Sequence, residues 1–159
     1  MSTNIESFGI SVEVPDGWNG QIFRRPGDAG AQPQAVDEGD SSTFPVVHVG
    51  NFWLPAVRGD FGSGAVEQMS HDDVLVCLLE YEPEAASTAL FAHEGIPRFT
   101  AGDFDPRTMQ RSVAGMAGAQ AFFRVNGRAF CVYAVVGSYA RRSHLAPSVN
   151  RVLEGIEIG

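Results

Sequence analysis

Lysine is absent from this sequence, and all eleven basic residues are arginine. A lysine Schiff base, a P-loop lysine and a lysine general base are therefore excluded. Cysteine is scarce. The two present, Cys77 and Cys131, show no C-x-x-C spacing and have no nearby histidine, so a metal or disulfide pair is the minority reading. Both lie in apolar, strand-like runs, which predicts reduced thiols buried as small core residues. No run approaches the roughly 18 consecutive apolar residues of a membrane span. The first twenty residues lack the basic start and apolar stretch of a signal peptide, so a cytoplasmic protein is expected. Also missing are G-x-S-x-G and a G-x-G-x-x-G that follows a strand, and residues 59–64 are Gly-rich without a P-loop lysine. No nucleotide or other cofactor is expected.

What is present is acidic and globular. Nineteen carboxylate residues against eleven arginines give a net charge of −8. Such a chain is repelled by phosphate backbones unless its arginines cluster, and only Arg24–Arg25 and Arg141–Arg142 are adjacent. Nucleic-acid binding is not expected. At 159 residues, 44% of them apolar, the chain suits one domain that buries about two-thirds of its unfolded surface.

Hydrophobic patterning predicts mostly strands. Phe8, Ile10, Val12 and Val14 alternate with polar or small residues, and Pro15-Asp16-Gly17 ends that strand as a turn. A short strand is expected over 21–25, and a loop rich in Gly, Pro and Ala over 26–45. A third strand is expected over 46–54, closed by Pro55. Residues 74–81 are apolar on both faces, which marks a central strand covered on both sides. Helical turns are expected over 64–70 and 84–93, and a longer helix from Asp105-Pro106 to just before Gly115. Asn126-Gly127 between two apolar runs is a type I′ hairpin signal, and it sets Phe123 opposite Phe130, Phe122 opposite Cys131 and Ala121 opposite Val132. Leu145, Val149, Val152, Leu153 and Ile156 fall on one face of a closing helix that Gly155 ends. The fold class expected is α+β: a mainly antiparallel sheet with helices packed on both faces.

Three segments carry a family likeness: the opening FGISVEVPDGW, the late AQAFFRVNGRAFCVYAVVG and the closing SHLAPSVNRVLEGIEI. In these the chain resembles the PsbP-like α/β/α sandwiches, in which a first strand ends in Pro-x-x-Trp and a final helix crosses the sheet. The resemblance covers the two ends of the chain. It implies a binding or assembly role, since similar proteins include photosystem accessory subunits and a Ran-binding factor, and it transfers no functional residue.

Candidate chemistry is sparse. His71-Asp72-Asp73 is the densest group of potential metal ligands, but consecutive residues before a buried strand read more simply as a capped turn. His48 reads as an outward or hydrogen-bonded strand histidine, His93-Glu94 as surface residues, and His144 as a surface residue near a helix start. Arg58-Gly59-Asp60 spells an adhesion tripeptide, and it reads as a turn after Pro55. The strongest candidate is Phe52, Trp53, Leu54 and Phe61, large apolar residues beside a Gly-rich turn, a pattern that marks interaction surfaces. A non-catalytic module that binds a protein partner is expected. The alternative is a small enzyme or ligand binder with a pocket between sheet and helices.

Overall fold

The computed structural model describes residues 2–24 and 44–159. The loop expected over 26–45 lies outside the described residues except for its last two positions. Those two lead into and begin a strand.

Among the described residues, eight strands form two antiparallel sheets. β1 (Thr3–Ser7), β2 (Ile10–Val14) and β8 (Ile156–Ile158) make the smaller sheet in the order β1-β2-β8. The larger contains β3 (Asn19–Arg24), β4 (Pro45–Gly50), β5 (Val74–Tyr81), β6 (Ala117–Val125) and β7 (Arg128–Val136), in the order β3-β4-β5-β7-β6. β5 is central, and all but its last residue are buried, as apolar residues on both faces require. β6 and β7 close through Asn126 and Gly127 with φ of 52° and 76°, the geometry of a type I′ turn. The expected register holds at all three pairs, and the Phe123 and Phe130 rings stack 5.5 Å apart.

The expectation of helices on both faces is overturned. Among the described residues there is one α-helix, α1 (Arg142–Glu154), and it lies on one face only. Its Leu145, Val149, Val152 and Leu153 join the inner residues of the small sheet in covering Val47, Val49, Val76, Leu78, Val132 and Ala134. The opposite face carries Val46, Leu75, Cys77, Leu79, Tyr133 and Val135, and is roofed by loops through Leu54, Ala65, Val66, Met69, Met109 and Met116. The three segments expected to be helical give only 3-10 turns: Val66–Gln68, Pro83–Ser87 with Ala89–Phe91, and Pro106–Thr108. Each is interrupted before a second α-turn can form. Met69 is extended after the first, Thr88 within the second, and Met109 after the third. Asp105 still caps its turn, its Oδ1 accepting from the Arg107 amide at 2.8 Å.

Three other boundaries differ. Phe8 is not in a strand but in a tight turn with Gly9, at φ 57° and 76°, so residues 3–14 form a hairpin. β8, a three-residue strand after the helix, adds Ile156 and Ile158 to the core. β4 stops at Gly50 instead of Leu54, because the Asn51 side chain takes over the ladder: its Oδ1 accepts from the Val74 amide at 2.9 Å, and its amide donates to the Asp72 carbonyl at 3.0 Å. The ends of the chain are tied together by Arg128. It grips the buried Glu80 carboxylate with two bonds of 2.8 and 2.7 Å and donates to the Phe8 and Gly159 carbonyls.

Candidate functional site

The loop that leaves β4 at Asn51 and returns at Ala65 is fixed from beneath by His48. This residue is fully buried on β4, on the loop-covered face. Its Nδ1 accepts from Arg58 Nε–H at 2.9 Å, which places the ring proton on Nε2, and Nε2–H donates to the Asp60 carbonyl at 2.8 Å. Burial, with the Arg58 charge adding to it, lowers the imidazole pKa from 6.5 to about 4, so the ring is neutral at physiological pH. Arg58 also donates to the Pro55 carbonyl and to Gln21 Oε1, and its guanidinium lies 5.5 Å from the centre of the Phe23 ring. Two loop residues are thereby bonded to one core side chain, and a third is held through Arg58. The arginine of the Arg58-Gly59-Asp60 tripeptide is turned inward and used in this network.

Above this anchor the four candidate residues separate. Leu54 is buried and belongs to the core. Phe52 and Phe61 are half-buried and pack on the loop-covered face, Phe61 edge-on to Tyr133 at 5.5 Å. Trp53 is 78% exposed. Strand alternation does not cause this separation, since the strand has already ended; it follows from the bend at 51–52. Sequence reasoning missed Val57, which is 87% exposed in the same loop. A valine among turn residues carries no periodic signal.

Where the roofing loops meet, they leave a seam. A cleft of about 650 Å³ runs between residues 67–71, 113–116 and 137–140, with Met69, Val113 and Met116 among its apolar lining. A notch of about 30 Å³ adjoins it at Glu67, lined by Phe61, Val66, Arg111 and Tyr133 among others. Gly137 packs directly on the 70–73 turn; a Cβ there would stand 1.8 Å from the Ser70 carbonyl oxygen.

The remaining candidates are placed as follows. Asp72 pairs with Arg141 at 2.9 Å, Asp73 accepts from the Ser70 amide at 2.7 Å, and His71 is exposed. Glu94 pairs with Arg124, while His93 and His144 are exposed. Cys77 and Cys131 are buried and not joined in a disulfide, and burial pushes the Cys77 thiol well above its usual range. Among the described residues, no three His, Cys, Asp or Glu side chains gather as a metal site, and no helix is long and apolar enough to cross a membrane. No family model, curated protein or solved structure matches the chain.

Proposed function

We propose that this chain is a non-catalytic binding module that engages a protein partner through the 51–63 loop, with Trp53 as anchor and Val57, four residues on, as a second exposed contact. One observation carries the reading: the most exposed large apolar side chains sit on a loop that a buried network holds in place. Covering exposed apolar side chains removes their unfavourable contact with water, which favours association. A loop already fixed loses little further entropy when it docks, and a central aromatic contributes about 2 kcal/mol or more to an interface. With a net charge of −8, the partner presents a basic patch, and association weakens as salt rises.

The test is capture from the native host by the tagged chain. Trp53→Ala and Val57→Asp should each lose the partner while melting as the parent does. Leu90→Asp, a change at an exposed apolar residue elsewhere, should keep it. Equal capture by all three variants would refute the reading.

A further inference from the structure

Of the four histidines only His48 is buried, and both of its ring nitrogens are bonded to the loop above it. Nε2–H reaches the Asp60 carbonyl, while Nδ1 accepts from Arg58, whose guanidinium is a permanent cation. A second proton can go only to Nδ1. There it would turn an acceptor into a donor aimed at a donor, and set one positive charge against another. The groups packed on the ring do not offset that charge. From β3 it meets Gln21, its register partner, and the Phe23 ring edge-on at 5.0 Å, neither of which titrates. From β5 it meets Cys77, whose thiol burial keeps protonated. From the loop it meets Arg58, and Asp60 through the backbone. The Asp60 carbonyl favours the charged ring, but burial outweighs it and the Arg58 charge adds to burial.

The same ring holds the loop down. The Gly59 and Gly62 amides donate within the loop, to the Ser63 and Gly59 carbonyls, and not to the sheet. The ties described above reach β3 at Gln21 and β4 at His48. Beneath the loop lies Cys77; a Cβ added at Gly62 would stand 3.4 Å from its Sγ. We infer that His48 is a proton-operated latch on the Trp53 loop: a proton on Nδ1 breaks the Arg58 bond and frees residues 51–63 from the sheet, so that acid withdraws the docking surface. The consequence for docking rests on the reading of Trp53 given above, but the latch itself needs no partner. Once the loop lifts, water reaches the ring and its ordinary proton affinity returns. The closed form is therefore fully favoured above pH 6.5, loses ground as the pH falls, and loses no more below about pH 4. A partner that selects the closed loop binds less tightly as the open form gains.

The experiment reads the loop through Cys77, labelled in the full chain with dithiodipyridine, a disulfide reagent that attacks thiols in acid as well as at neutral pH. Each rate is divided by that of the urea-unfolded chain at the same pH, which removes the thiol's own titration. Protection of Cys77 should fall roughly 80-fold from about pH 8 to about pH 4.5. Cys77 should also be labelled faster than Cys131, which accepts from Gln120 on β6 away from the loop, and dilute urea should speed only Cys131. His48→Gln, which can make both bonds without titrating, should give a flat Cys77 profile. Should that variant fail to fold, Arg58→Met, which removes the tie, should leave Cys77 poorly protected even at about pH 8. Trp53→Ala should follow the parent profile, so loss of the partner reading leaves the latch result standing. A flat parent profile would overturn the inference. So would equal labelling of Cys77 and Cys131 with the same urea dependence, which means global unfolding alone, or a parent-like profile in His48→Gln or Arg58→Met.

Discussion

Above pH 6.5 the imidazole of His48 is neutral in folded and unfolded chains alike, and its network contributes fully. Below that, the unfolded chain takes up a proton while the folded one resists until about pH 4. Stability should therefore fall as the pH drops from 6.5 to 4 and show no further loss from this group below that. The span corresponds to about 3 kcal/mol. Burial of the ring is the main cause, and a proton on Nδ1 would also face the Arg58 guanidinium across a bond that Nδ1 now accepts. His48→Gln, whose amide can still accept from Arg58 and donate to Asp60 but does not titrate, should remove this part of the pH dependence. Urea melts of parent and variant at a series of pH values measure it. Parallel curves would show that His48 is not the group responsible. The sequence placed His48 correctly in a strand and named a satisfied histidine as one reading. It could not show Arg58 as the partner, because the nine residues between them include a bend whose path is set by tertiary contacts.

At the scale of elements, legibility followed locality. The β6–β7 hairpin was readable because two residues, Asn126 and Gly127, determine both turn and register. α1 was readable because five apolar residues repeat at helical spacing, although the last of them, Ile156, lies beyond the helix in β8. The Phe8-Gly9 turn was not, since phenylalanine rarely takes positive φ and its alternation with Ile10 imitates a strand. Nor were the 3-10 turns, whose short apolar spacings look like the start of a helix. The hairpin yields a clean test. Gly127 has φ 76°, and a Cβ there would meet nothing within 4 Å, so a side chain costs backbone strain alone. Gly127→Val should lower stability by about 1 kcal/mol or more, read from the shift in the urea midpoint. An unchanged midpoint would mean that the turn does not need its left-handed residue.

Taken whole, the molecule is a five-stranded sheet with unlike sides. One side is sealed by α1 and the small sheet, the other by loops that bend over Met, Phe and Tyr side chains. The difference could not be read from the sequence, where both sides showed apolar strands and helix-compatible connections. Which segments roof which face depends on the order β3-β4-β5-β7-β6, and that order is set by pairings between residues far apart in the chain. The proposed partner surface lies on the loop-covered side, where the chain leaves Trp53 uncovered. The partner reading requires Trp53 to be held in place before any partner arrives. Backbone ¹⁵N relaxation at neutral pH measures this directly. Amides of residues 51–63 should show order parameters of about 0.85, matching β4 and β5, with the Trp53 indole open to solvent. Values below about 0.6 across the loop would show that the His48–Arg58 network does not fix it, and would contradict the account.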